Sequence, residues 1–351
     1  MRVLQQRANF RGSIRYGWPE AADEAIVLLD DVPDFGDDDA ARLGSAIGER
    51  ISVDRRPTRA TVEMATKRLM AQGGGRLIAI GSGALLDAGK LAFQHASEGG
   101  VPVALVMVPC GAEPYRAVAQ FAVVDAPDGS RPTQLDQRFA ACDVLVLDDL
   151  LRRLPPAVVA LAAADTAVHS IESLLSRAAT PYSRMLATAA LRTVIETSDP
   201  VPVVSASFLA VEAFASTRLG LAHAVASPLG TELGVTHDAI NAVLGDALVE
   251  YWGPRPTAFR NVAKACNTAT HDSVKEHLTR LRDAAGLPSS LSELGITWPS
   301  VSNVLPGAAR SSGISVLPEP ISPSELEAFA ARGWKGATTK EVAVAEPAGT
   351  D

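Results

Sequence analysis

The chain has 351 residues, 47% of them hydrophobic and 21% charged, a balance that buries a sizeable core and at this length suits two domains. Thirty-two Lys and Arg against 40 Asp and Glu give a net charge of -8, which argues against a dedicated nucleic-acid binder. No uninterrupted run reaches the ~20 apolar residues that span a bilayer, Met1–Gly12 carries no apolar signal core, and three widely spaced cysteines (Cys110, Cys142, Cys266) make no disulfide framework; a cytoplasmic protein without a membrane partner is expected.

In chain order, Ala25–Leu29 reads as a short strand closed by Asp30, Asp31 and Pro33, and Asp39–Glu49 has helical composition. Arg50–Val53 suits a second strand and Pro57–Met70 a helix with proline near its start. Arg76–Ile80 is a strand running into Gly81-Ser82-Gly83, with a helix over Ala84–His95. Pro102–Val108 and Val144–Leu147 are further buried runs, so the first half predicts parallel βαβ units. From Pro155 the pattern turns helical: Pro156–Arg177, Tyr182–Glu196, Ser207–Leu219, His237–Tyr251, Ser273–Ala285 and Ser324–Arg332. The domain boundary is expected near Arg152–Pro156, and Lys335–Asp351 reads as a mobile tail.

Two places carry chemistry. The strand–glycine–helix passage at Gly81, Ser82 and Gly83 suits a phosphate, because glycines allow close approach and the first helical N–H groups point outward. Lys90 lies beyond it, able to add charge or pair with Asp87, but Leu86 occupies the third glycine position of the G-x-G-x-x-G fingerprint. The second place is Asp165 and His169, i and i+4 on one helical face, a natural half-site for a transition metal. His223 and His237 follow, fourteen residues apart, with Pro228 and Gly230 between them, so they fall on different helices or turns. Together they would make a site of one oxygen and three nitrogens suited to Fe(II) or Zn(II). Spacing alone also allows histidines that are hydrogen-bonded in a core and an Asp–His pair of only local significance.

At this point the segments resemble a family, the iron-containing (group III) alcohol dehydrogenases, related in architecture to glycerol dehydrogenase and 3-dehydroquinate synthase. DTAVHSIES resembles its D-A-L-x-H-A-I-E segment, GLAHAVASPLG and THDAINAVL its G-x-x-H-x-x-A-H-x-L-G and P-H-G-x-x-N-A segments, GSGALLDAGK its G-G-G-S-x-x-D-x-A-K, and residues 286–296 its late G-L-P-x-x-L…L-G-V stretch. The resemblance implies a dehydroquinate synthase-like fold: an α/β nucleotide-binding domain over 1–153 and an all-α metal-binding domain over 154–334, with 335–351 as the tail. It implies Asp165, His169, His223 and His237 as metal ligands and thereby the catalytic residues. Gly81, Ser82 and Gly83 would hold a pyrophosphate and Asp30 the ribose hydroxyls, which favours NAD over NADP. Asp87 and Arg131 are further candidates at the cofactor. The implied activity is interconversion of a small-molecule alcohol with an aldehyde or ketone, by hydride exchange with the nicotinamide, in a homodimer.

The departures cluster at cofactor and substrate positions. The family's P-T-T-x-G-T-G-S-E loop is replaced by Pro109–Arg116, where Cys110 suits either a cofactor contact or burial, and Tyr115 and Arg116 suit either an acidic ligand or an exposed loop. Ser227 stands where relatives carry a second histidine, Asp238 adds a carboxylate beside His237, and Arg131 is the nearest candidate for an expected lysine. These changes point to a divergent member serving specialised bacterial biosynthesis. Two alternatives stand beside it: a metal-dependent lyase or cyclase of the dehydroquinate-synthase kind, and a non-catalytic scaffold.

Overall fold

The computed structural model describes residues 10–19, 25–29, 32–43, 47–52, 59–123, 132–233 and 235–336. The N-terminal part contains β1 (Ser13–Tyr16), β2 (Ala25–Leu29), α1 (Asp37–Leu43), β3 (Ile47–Ser52), α2 (Arg59–Ala71), β4 (Gly75–Gly81), α3 (Gly83–Glu98) and β5 (Val103–Pro109). It continues through β6 (Phe121–Val123), β7 (Thr133–Leu135), β8 (Asp143–Val146) and α4 (Asp148–Leu151). Six strands form one parallel sheet in the order β1-β8-β5-β4-β2-β3, while β6 and β7 make a small antiparallel pair.

Side-chain alternation explains the sheet. Ile26, Leu28, Leu77, Ala79 and Met107 enter the core on one face, and Ala25, Val27, Ile78, Ile80 and Val108 the core on the other. Both faces are covered, as parallel strands require, which is why these strands read as continuous apolar runs. The chain leaves β2 for β3 on one side and returns to β4 on the other, so the order reverses beside β4, where ligands of such sheets bind. The expected helix over Asp39–Glu49 is shorter than predicted. It ends at Leu43, and Ile47–Glu49 join β3, paired with β2 through backbone bonds that composition does not reveal.

All described residues after Val146 are helical or irregular. The helices are α5 (Pro156–Leu175), α6 (Pro181–Glu196), α7 (Pro200–Thr217), α8 (Leu221–Leu233), α9 (His237–Trp252), α10 (Pro256–Ala265), α11 (His271–Ala284), α12 (Trp298–Ala308) and α13 (Pro323–Lys335). α5, α6, α7, α10 and α13 each begin on a proline, where the missing N–H costs nothing. α8 is absent from the sequence expectation because Pro228 reads as a breaker; here it lies inside the helix. α5 is the hub, buried from Ala162 to Leu175 and packed against α6, α7 and α9. α5 and α7 are long and apolar enough on average to cross a membrane by length and composition, although neither is an uninterrupted apolar run. Their apolar windows are instead 78% and 56% buried among neighbouring helices.

α7 joins the two parts. Its Val204, Phe208, Val211 and Phe214 enter the core on one face of the sheet. They pack beside a short 3-10 turn over Pro114–Val118 that follows β5, a contact that brings the β5 loop against the helical part.

Candidate metal centre

Asp165 and His169 stand one turn apart on α5, His223 in the first turn of α8, and His237 at the start of α9. One donor atom from each lies within 4.8 Å of the others. Donors held at about 2.0–2.2 Å from one ion stand about 3–3.6 Å apart at right or tetrahedral angles and at most about 4.4 Å apart across it, so the set needs to contract by about an ångström to close on an ion. Three of the four are buried, and Asp165 Oδ2 has no hydrogen-bond partner, although His169 Nδ1 lies 3.4 Å away. A buried carboxylate oxygen left unpaired amid three imidazoles is the signature of a set that suits a cation.

The surroundings hold these donors in place. Glu172 Oε2 lies 2.7 Å from His223 Nδ1, and its oxygens also accept the Gly220 and Ala222 amides at 2.7 and 2.6 Å. A carboxylate on Nδ1 leaves Nε2 as the donor, the usual outer support of a ligating histidine. Asn241 Nδ2 reaches Asp165 Oδ1 at 3.0 Å and His223 Nε2 at 2.8 Å. Neither residue figured in the sequence expectation. Both were findable by spacing, because Glu172 is three residues past His169 and Asn241 four past His237.

The β5 loop closes the other side. His237 Nδ1 is 2.8 Å from Glu113 Oε1, and its Nε2 is 3.2 Å from the Tyr115 hydroxyl. The His169 ring stacks between those of Phe214 and His223, at centroid distances of 4.8 and 4.6 Å. Burial pushes the Asp165 carboxyl up, opposed by His237 and His223. Burial, reinforced by the His223 and His237 charges, pulls His169 well below the usual range and keeps it neutral, as ligation requires. For His237 burial acts downward, but the Glu113 carboxylate prevails and raises it to about 9. Asp238 is pushed up to about 6, by burial first and then by the Glu113 charge.

The cofactor candidates fare unevenly. Gly81, Ser82 and Gly83 form the tip of β4 and the start of α3. The β5 loop lies directly on them: Gly83 N–H donates to the Ala112 carbonyl at 3.0 Å, and a Cβ on Gly83 would stand 2.7 Å from that of Glu113. Asp87 is turned inward. Its carboxylate is fully buried, pairs with Arg116 and Lys90, and accepts the Val123 amide at 2.9 Å. Tyr115 and Arg116 are likewise buried rather than an exposed pair, and Arg116 spans Asp87 and Glu113. Cys110 is buried, its thiol 3.8 Å from the Leu150 carbonyl. Asp30 and Arg131 lie outside the described residues.

Residues 159–329 match the Fe-containing alcohol dehydrogenase family, C-terminal part. The helical part thus matches the C-terminal part of the iron-containing alcohol dehydrogenase family, a family of oxidoreductase enzymes. Among its relatives is the 1-propanol dehydrogenase PduQ of Citrobacter freundii, 27% identical over 258 residues, which cover 66% of this chain and 70% of that protein. The probable alcohol dehydrogenase EutG of Salmonella typhimurium is 30% identical over 200 residues, and the match spans half of that protein's length. The fold agrees along nearly the whole chain. An iron-containing alcohol dehydrogenase from Thermococcus thioreducens superposes with a TM-score of 0.79 at 19% identity, covering 93% of this chain and 99% of the other. A 1,3-propanediol oxidoreductase gives 0.80 at 18%, covering 94% and 100%. The family match falls on the helices that carry Asp165, His169, His223 and His237.

Proposed function

We propose that the chain is a metal-dependent, nicotinamide-linked oxidoreductase that interconverts a small uncharged alcohol and its aldehyde or ketone. The observation that carries this is the buried set of Asp165, His169, His223 and His237 with an unpaired Asp165 oxygen. These four residues would hold one Fe(II) or Zn(II). When bound, the ion supplies Lewis acidity toward the alcohol or carbonyl oxygen, and the nicotinamide supplies the hydride acceptor or donor.

The chain's own residues do the positioning. Glu172 fixes the His223 tautomer through Nδ1, and Asn241 Nδ2 holds Asp165 Oδ1, while its contact with His223 Nε2 would give way to the ion. Beside His223 a cavity of about 520 Å³ is bounded by Phe214, Leu219, Ser227, Pro228 and Ser311. No Lys, Arg, Asp or Glu lines it among the described residues, and the Ser311 hydroxyl is buried without a partner. Such walls accept a short chain with one hydroxyl and give a carboxylate or phosphate no counter-charge. The strand–glycine–helix turn at Gly81–Gly83 would hold the dinucleotide pyrophosphate, with NAD expected from Asp30.

One observation favours the non-redox alternative. The Ala112 carbonyl already occupies the Gly83 amide, which narrows the pyrophosphate cradle. The test is Fe(II)-loaded protein assayed with NADH or NADPH against short neutral aldehydes such as propanal. Consumption of one nicotinamide per aldehyde, lost in His223→Ala, is expected. Metal-loaded protein that neither binds nor turns over either nicotinamide would overturn the redox reading and favour a lyase.

A further inference from the structure

Tyr115 comes from the opposite side of the cleft, on the loop after β5, yet its hydroxyl ends among the metal-site histidines. It is 3% exposed, its hydroxyl lies 3.2 Å from His237 Nε2 and 3.3 Å from Glu113 Oε1, and its ring stands edge-on to His169 at 4.9 Å. The loop pays for this placement in backbone strain, since Glu113 adopts a left-handed conformation, φ 57°, unusual for a residue with a side chain. Arg116 and His237 both hold the Glu113 carboxylate there.

We propose that Tyr115 is a fifth donor to the metal ion. The inference rests on the reading that Asp165, His169, His223 and His237 hold that ion, and three arguments carry it. First, two donors about 2.1 Å from one ion and roughly at right angles stand about 3 Å apart, and the Tyr115 oxygen already lies at that distance from His237 Nε2. Second, an ion on His237 Nε2 ends that nitrogen's hydrogen bond with the phenol oxygen and leaves the hydroxyl only its longer bond to Glu113 Oε1, at 3.3 Å. A buried hydroxyl stripped of a partner costs about 1–3 kcal/mol. Glu113 Oε1 already accepts the hydroxyl and has no proton to offer the oxygen's lone pairs in return. The ion is then the nearest partner for those lone pairs. Third, a phenolate oxygen is a hard ligand suited to iron, and tyrosine serves as an iron ligand elsewhere. On coordination the Fe–O bond forms and the phenol proton leaves to solvent, as with any ionised metal ligand. These five residues would hold the ion, which would supply Lewis acidity toward a substrate oxygen. The metal would then bridge the helical part and the β5 loop.

The experiment uses the full chain and its variant Tyr115→Phe, which keeps the ring packed on His169 and Phe214. Both are loaded anaerobically with Fe(II), checked for iron content, oxidised with stoichiometric ferricyanide, and examined by visible absorption and resonance Raman. The signal is assignable because, of the four tyrosines, Tyr16 and Tyr182 are exposed and Tyr251 pairs with Glu325 far along the chain. The wild type should show a phenolate-to-Fe(III) charge-transfer band with phenolate ring modes. Tyr115→Phe should lose both at equal iron content and bind Fe(II) about 10-fold more weakly. Wild type with one iron per chain and no phenolate modes overturns the role of Tyr115 while the metal centre stands, and so does a band that survives in the variant. Wild type that takes up no iron overturns the metal centre and this proposal with it. The wild-type spectrum decides even if the variant fails to fold.

Discussion

Two buried charged clusters lie on either side of the cleft, and they differ in how nearly each satisfies itself. In the α/β part, Asp87 holds Arg116 and Lys90 and accepts the Val123 amide, while Lys90 also donates to the Phe121 carbonyl at 2.8 Å. Arg116 Nε alone in that group lacks a partner. In the helical part, Asp165 Oδ2 and Asn241 Oδ1 both lack one, with three imidazoles converging around them. A buried cluster that pairs its own charges holds a fold together, whereas one that leaves acceptors open is built around something it lacks. Glu113 joins the two, bonded to Arg116 on one side and His237 on the other.

This contrast breaks down in defined ways if it is wrong. The largest effect is expected at Asp87. Asp87→Asn leaves two buried cations without their carboxylate and should cost about 3–5 kcal/mol by urea unfolding, with metal uptake retained in the folded fraction. An unchanged midpoint would mean that the network contributes little. The helical cluster should instead respond to ligand. Metal at a thousand times its Kd should stabilise the protein by about 4 kcal/mol, seen as a rise in Tm, and His169→Ala should abolish that rise while lowering the apo Tm through the cavity it leaves. A smaller loss is expected outside the ligands. Glu172→Gln weakens the hold on His223 and should lower metal affinity about 10- to 100-fold in a chelator competition.

The smallest effect concerns neither cluster and marks the background of ordinary ion pairs. Arg153 donates to Asp39 at 2.6 and 3.0 Å and holds its carboxyl below the usual range. A depressed carboxyl contributes stability above its unfolded value, and that contribution is lost as pH falls through the folded value. Asp39→Asn should therefore cost about 1–2 kcal/mol at pH 7. The difference from wild type should shrink below about pH 4 as the wild-type carboxyl protonates. A pH-independent difference would show that packing, not the charge, is what the variant disturbs.

Much of the fold was legible because its signals are local. The β2, β4 and β5 runs are apolar on both faces, and the starts of α5 and α6 follow proline signals, whereas α7 begins at Pro200, seven residues before the expected Ser207. What escaped depends on partners far along the chain. β1 is a polar four-residue segment that becomes a strand only by pairing with β8, and α8 tolerates Pro228 because tertiary packing outweighs one lost bond. The Asp165–His169 pair was visible by spacing, His223 and His237 were candidates to join it, and the resemblance assigned all four as ligands. Glu113, Tyr115 and Arg116 were noticed as a departure, but nothing local says that the loop folds inward onto His237 and Asp87. That contact is made by α7 packing on the sheet, a long-range event that periodicity does not encode.

The most direct test of the central claim is an anaerobic Fe(II) titration, against a competing chelator, of wild-type protein and His169→Ala. The account predicts saturation at about one ion per chain in the wild type and none in the variant. Wild-type protein that takes up no ion, or a variant that binds as well as wild type, would contradict it.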